Sequence, residues 1–265
     1  MRVPDFFDGL KRGMFPRFFR MGAYMDIRKD YLFDNVFVYQ NPSLYAFGTD
    51  AVLLAAFTRI RPGSVGMELC AGNGVISLML AKRKKPSHIT AVEIQEACAD
   101  LAKMSVTENA LEGIVTVLNA DLKTLSPPHR KLDFVVVNPP YRKENAGFKS
   151  VEDSRRVSNA EVLCTLDDVV KTASLQLKYA GDFYCCHRPE RLCDLFCSLR
   201  SFGMEPKRLV MVQPRPDTPP HLILCHAKKY SRPGLRVLSP LILLQDATGD
   251  VLSPQVQKIY KTGFF

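Results

Sequence analysis

The sequence predicts a doubly wound α/β fold built on a seven-stranded, mostly parallel sheet whose last strand runs antiparallel. Three observations lead there. From Val65 onward, short β-branched and apolar runs alternate with longer segments of helical period. Glycine and charged or capping residues punctuate the joins, as crossover units require. The last two apolar runs are linked only by the proline-rich residues 214–220, which leave no room for a helix, so those strands pair antiparallel.

Strands are expected at residues 65–70, 89–93, 114–118, 133–137, 182–187, 208–213 and 221–226. Helices are expected at about 74–84, 95–108, 165–179 and 189–202, the third opened by a Thr165/Asp168 capping box. Ahead of the sheet, residues 31–45 alternate as a short hairpin, and Thr49 reads as the N-cap of a helix that runs to Arg59. Asp50 suits the positive end of that helix. Residues 1–25 mix phenylalanines with basic residues without periodicity and read as a poorly ordered arm before one domain, 26–265. Residues 231–265 read as a tail whose apolar stretch, Val237 to Leu244, packs on the domain.

Composition narrows the function classes. The chain has 265 residues, 46% of them hydrophobic and 24% charged, as in ordinary globular proteins. No apolar run is long enough for a membrane span and no cleavable leader pattern opens the chain, so a cytoplasmic protein is expected. The eight cysteines lack zinc-ligand spacing and read as reduced thiols, mostly buried; Cys193 and Cys197, one helical turn apart, are a weak metal hint at best. A net charge of +9 favours a polyanionic partner, although a merely soluble basic surface has the same signature.

The candidate chemistry lies at strand ends. Glu68-Leu69-Cys70-Ala71-Gly72-Asn73-Gly74 leaves the first strand and opens a helix, so backbone N–H groups face a ligand. A dinucleotide site wants a third glycine where this chain has Ser77, and Glu68 would repel a pyrophosphate. Glu93 ends the second strand 19 residues after Gly74, the spacing at which an acid reaches a ribose. Asp121 ends the third strand in Asn119-Ala120-Asp121, where it can accept from an adenine amine. Acids at three successive strand ends suit a cationic nucleoside, and S-adenosylmethionine fits; each acid alone is more often a solvated loop residue. Gly48-Thr49 puts another helix start near the same edge.

The fourth strand, Asp133 to Val137, stops at Asn138-Pro139-Pro140-Tyr141. Pro139 has no N–H to donate and biases Asn138 towards an extended backbone, so a stiff turn presents an amide, a carbonyl and an aromatic ring. The bland alternative is a proline-stopped loop with a stacked tyrosine.

Together these stretches resemble the class I, Rossmann-like methyltransferases, and the tRNA1(Val) (adenine-37-N6)-methyltransferase family in particular. The resemblance rests on Phe47 to Ala51, Glu68 to Gly74, Val92 to Gln95, Asp121, Asn138 to Tyr141, Leu163 to Leu166 and Arg188 to Arg191. It implies S-adenosylmethionine held by Thr49, Glu68, Ala71, Gly72, Asn73, Gly74, Glu93, Asp121 and Asn138, with no metal. It implies catalysis on an adenine amine by Asn138, Pro139 and Tyr141. A cleft near Lys143, Lys149, Arg155, Arg156 and Arg188 can hold tRNA phosphates, although each of these residues alone also fits a solvated face. A monomer or weak dimer is expected. Where the family often carries an arginine–histidine pair before the glutamate matching Glu161, this chain has Asn159-Ala160, which bears on RNA contact and not on the chemistry. The alternatives are a protein glutamine-N5 methyltransferase, a DNA adenine methyltransferase lacking its recognition domain, and a non-catalytic RNA-binding module on the same fold.

Overall fold

The computed structural model describes residues 27–33, 36–44, 47–129, 131–139, 164–245 and 250–265. The N-terminal arm, Pro140, Tyr141, Lys143, Lys149, Arg155, Arg156 and the Asn159-Ala160 departure lie outside the described residues.

The strands are β1 (Arg28–Phe33), β2 (Val36–Gln40), β3 (Val65–Leu69), β4 (His88–Glu93), β5 (Val115–Asn119), β6 (Leu132–Val137), β7 (Leu177–His187), β8 (Met204–Gln213), β9 (Leu222–Lys229), β10 (Arg236–Val237) and β11 (Leu241–Ile242). The helices are α1 (Thr49–Phe57), α2 (Val75–Lys84), α3 (Glu96–Glu108), α4 (Leu166–Gln176), α5 (Leu192–Ser201) and α6 (Pro254–Thr262). The large sheet runs β5-β4-β3-β6-β7-β9-β8, with β10 and β11 both beside β8. From β5 to β7 all pairs are parallel, whereas β9 is antiparallel to both of its neighbours. The chain leaves β3 for β4 on one side and returns to β6 on the other, so the sheet's topological switch lies between β3 and β6. Ligands of open α/β sheets bind at the carboxyl ends of the strands at that point.

A strand covered on both faces should read as an unbroken apolar run, and β6 does. Its Phe134 and Val136 point into one core with α1 and α2, while Val135 and Val137 point into the other with α4 and α5. α1 is buried on every side from Ala51 to Phe57, which is why it shows no amphipathic stripe. Gly66 on β3 pairs with Phe134, and a Cβ there would stand 2.2 Å from the phenylalanine ring. Gly66→Ala is therefore expected to cost about 1–3 kcal/mol of stability through overpacking. Urea unfolding measures it; an unchanged midpoint would mean that the ring has room to move.

Several elements depart from the sequence expectation. Among the described residues the sheet has nine strands, because the tail adds β10 and β11 in parallel to β8. The antiparallel strand β9 is interior, wedged between β7 and β8. Thr49 does not cap α1: Gly48 occupies the N-cap with no side-chain bond, and the first turn closes through the Ala51 N–H to the Gly48 carbonyl at 3.2 Å. That helix also stops at Phe57, because the Thr58 N–H and hydroxyl both turn back onto the Leu54 carbonyl. The helix expected to 179 ends at Gln176, where Lys131 and Lys229 donate to the carbonyls of Leu175 and Ser174 and the chain enters β7. The Thr165/Asp168 capping box is present. α6 was not anticipated, although Ser253-Pro254 and Gly263 mark its ends: Ser253 caps it and Gly263 closes it at φ 71°.

The hairpin β1–β2 docks on α3 through polar bonds. Ser105 Oγ accepts the Tyr39 N–H at 2.8 Å, and the Asn109 amide both accepts the Phe37 N–H and donates to the Phe37 carbonyl. Among the described residues, no helix is long and apolar enough to cross a membrane.

Candidate active site

Strand register brings the expected residues to one edge. Leu69 at the end of β3 lies beside Val92 of β4 and Val137 of β6, and Glu93 lies beside Asn119 of β5. The glycine loop, Glu93, the approach to Asp121 and Asn138 therefore leave the sheet side by side.

The loop needs left-handed backbone. Gly72 has φ 55° and Gly74, the N-cap of α2, has φ 77°. A Cβ on Gly74 would also meet the Ala102 Cβ at 3.2 Å, so glycine lets α2 start close against α3. Glu93, 4% exposed, braces the loop from β4. Its Oε2 accepts the Gly72 N–H at 2.8 Å and its Oε1 accepts the Gln95 N–H at 2.9 Å. Asn119, which sequence reading passed over, donates to the carbonyls of Glu93 and Ile94 and ties the ends of β4 and β5 together.

Glu68 is 1% exposed on β3, and its Oε2 accepts the Ser77 N–H at 2.8 Å and the Ser77 hydroxyl. Ser77 stands where a dinucleotide fold has its third glycine; that substitution signalled a partner for the buried acid. Burial, with the Glu93 charge adding to it, pushes the Glu68 carboxyl up to about 8 against the pull of the Ser77 bonds. Between the usual 4.5 and about 8 the folded state holds a proton that the unfolded chain has lost, so this contribution to stability falls as pH rises and is gone above about 8. In Glu68→Gln the melting temperature should fall less between pH 5 and pH 8 than in the parent. Parallel declines would show that Glu68 is ionised throughout.

Asp121 is partly exposed and caps its own turn, accepting the Lys123 N–H at 2.9 Å with the Lys123 ammonium 3.6 Å away. Asn73 is 1% exposed, yet neither its amide oxygen nor its nitrogen has a partner among the described residues. Leaving such a group unsatisfied costs about 1–3 kcal/mol, so a ligand that met this amide would gain from it.

Across the switch point Asn138 is half-buried and Pro139 buried. Cys186 on β7 donates its S–H to Asn138 Oδ1 at 2.9 Å. The Cys186 thiol is held well above its ordinary range by burial and by the nearby Asp50 carboxylate, which places the start of α1 beside this turn. Arg188 reaches this edge, but its guanidinium donates to the His221 carbonyl at 2.7 Å and so also ties β7 to the chain before β9. His187 next to it is lowered by burial and by Arg191. Among the described residues, no cluster of three or more His, Cys, Asp or Glu has the makings of a metal site. Cys185, Cys186 and Cys225 are buried, Cys70 is half-buried, and Cys193 and Cys197 are exposed.

Solved structures share this fold. An Agrobacterium tumefaciens protein described as a predicted O-methyltransferase superposes with a TM-score of 0.63 at 23% identity, covering 80% of this chain and 95% of that one. A SAM-dependent O-methyltransferase from Thermotoga maritima superposes at 0.50 with 16% identity, over 71% and 67%. The fold is that of the class I methyltransferases.

Sequence comparison adds a matching domain and similar proteins. Residues 44–164 match the methyltransferase small domain. Two similar curated proteins are tRNA1(Val) (adenine(37)-N6)-methyltransferases: one from Aliivibrio fischeri, 38% identical over 35% of this chain and 39% of that protein, and one from a Flavobacteriaceae bacterium, 27% identical over 54% and 63%. A third, from Histophilus somni, is 24% identical over 69% and 83%. The chain is similar to these methyltransferases; it spans less than two thirds of the length of the first two.

Proposed function

We propose that the protein transfers a methyl group from S-adenosylmethionine to the exocyclic N6 amine of an adenine in tRNA, adenine 37 in the anticodon loop of a valine tRNA. The observation that supports this best is the Asn138-Pro139 turn standing one strand away from the acid-braced glycine loop, with Val137 and Leu69 in register. The names of the sequence relatives point to the same substrate.

The cofactor pocket fits a nucleoside with a cationic amino-acid portion. Glu93 would accept from the ribose hydroxyls, Asp121 from the adenine amine, and Gly72 and Gly74 leave room for close backbone approach. Asn73 has unspent polar capacity in the same loop. Glu68 lies next to where an ammonium would sit, and Thr49 with the start of α1 flanks it. Since a cation favours the Glu68 carboxylate, cofactor affinity should rise with pH up to about 8, and Glu68→Gln should flatten that rise. When bound, S-adenosylmethionine supplies an electrophilic methyl group.

An adenine amine is a poor nucleophile because its lone pair is delocalised into the ring. Asn138 Oδ1 and the Pro139 carbonyl accept its two hydrogens, pull the nitrogen towards tetrahedral geometry and turn the lone pair outward. Tyr141 gives the extruded base a face to stack on, worth about 1–3 kcal/mol. Extrusion costs least in a single-stranded loop. Single-turnover transfer to unmodified tRNA followed by nucleoside mass spectrometry tests the whole reading. N6-methyladenosine is expected; a methylated protein glutamine in its place would overturn it.

Lys143, Lys149, Arg155, Arg156 and Arg188 supply phosphate contacts. Affinity for tRNA should then fall steeply with salt, and alanines at the first four should flatten the slope. Identical slopes would remove these residues from the interface.

A further inference from the structure

We infer that Cys186 is a positioning residue for Asn138, its thiol deciding which way round the amide of the catalytic turn lies. The inference rests on the proposed role of Asn138.

Val137 and Cys185 are the last partners in register across β6 and β7, so the next residues, Asn138 and Cys186, stand side by side, with Cys186 still paired to Leu224 of β9. Cys186 is fully buried, and its Sγ stands 2.9 Å from Asn138 Oδ1. The two ends of an amide have nearly the same shape, but one accepts hydrogen bonds and the other donates them. Only the acceptor end can take a hydrogen from a substrate amine. The donor end, facing that amine, would set N–H against N–H and turn the nucleophile away. A thiol donates weakly and accepts weakly, and a proton aimed at the amide is met by the oxygen and not by the N–H groups, so the contact favours the oxygen. Burial and the Asp50 carboxylate both disfavour the thiolate, so Cys186 keeps its proton at working pH. They also rule it out as a nucleophile. The carbonyl oxygen has two lone pairs; Cys186 takes one and leaves the other for the substrate. The contact comes from the strand next to the turn, so it is in place before any substrate binds.

The experiment uses Cys186→Ala and Cys186→Ser, each alone and combined with Asn138→Ala, in the full chain. Single-turnover transfer to an unmodified valine tRNA transcript is measured alongside the dissociation constants of S-adenosylmethionine and tRNA. Cys186→Ala should slow transfer by about tenfold with both constants nearly unchanged, and Cys186→Ser, which keeps a donor but adds an acceptor that an inverted amide can use, should restore only part of the rate. In the Asn138→Ala background Cys186→Ala should cost nothing more, because the thiol acts only through that amide. A second readout needs no turnover. The S–H stretching band isolated by subtracting the Cys186→Ala infrared spectrum should be that of a hydrogen-bonded thiol, and should move to the free-thiol position in Asn138→Ala. A wild-type rate in Cys186→Ala, a further loss in the Asn138→Ala background, or a band indifferent to Asn138→Ala would each overturn the inference. If Asn138→Ala itself transfers at the wild-type rate, the proposed function falls instead, and the infrared band separates the two failures.

Discussion

Asn138→Ala is expected to lower kcat by about 10²–10³ while S-adenosylmethionine binding, to which Asn138 is one contributor among several, stays largely intact and most tRNA affinity is kept. The amide oxygen matters most when the amine nitrogen becomes tetrahedral, so its loss falls on the transition state and not on the ground state. The site makes that acceptor inexpensive to use. Pro139 stiffens the turn, Val137 is held between β3 and β7, and the Cys186 thiol already contacts the oxygen, so little reorganisation is left for the reaction itself. Tyr141→Ala should weaken productive tRNA binding as well as rate, and Tyr141→Phe should be mild, because stacking uses the ring and not the hydroxyl. Single-turnover kinetics with nucleoside mass spectrometry compares all three. Wild-type transfer by Asn138→Ala would remove the turn from the chemistry.

Glu93→Ala should weaken S-adenosylmethionine binding by about 1.5–3 kcal/mol, roughly 10- to 150-fold, the worth of hydrogen bonds to a charged acceptor. The effect has a second origin. Both Glu93 oxygens already hold backbone N–H groups, those of Gly72 and Gln95, so the variant strands two donors and loosens the loop before any ligand arrives. The cofactor-free protein should therefore also melt earlier. Glu93→Gln keeps one acceptor and faces the other N–H with an amide donor, which puts it between the parent and Glu93→Ala. Calorimetry with a thermal melt on each variant separates the two contributions. Unchanged affinity would take Glu93 out of the site.

The strand–helix alternation, the glycine loop, the acids at strand ends and the proline-stopped turn were all legible in the sequence. Each depends on local chemistry: a β-branched run, a missing N–H, a carboxylate at a fixed spacing. The Thr165/Asp168 box belongs here too, since a capping box is closed within four residues. Where local rules compete, the chain alone misled. Thr49 is a good capping type, but Gly48 took the place and closed the turn with backbone alone. The end of α4 was set by two lysines, from the start of β6 and the end of β9, that reach its last carbonyls.

The sequence by itself determined that three acids, two glycines and an amide would come off successive strands at one edge, because strand ends and crossover hand follow from local pattern. Only the tertiary structure decided what those groups touch. It put Ser77 under Glu68, tied Glu93 to the Gly72 N–H, left Asn73 without a partner among the described residues and set Cys186 against Asn138. It also slid β9 between β7 and β8 and added β10 and β11 to the far edge. These contacts join residues far apart in the chain. Their partners are chosen by sheet register and by the desolvation of buried polar groups, and neither is written in any single stretch of sequence.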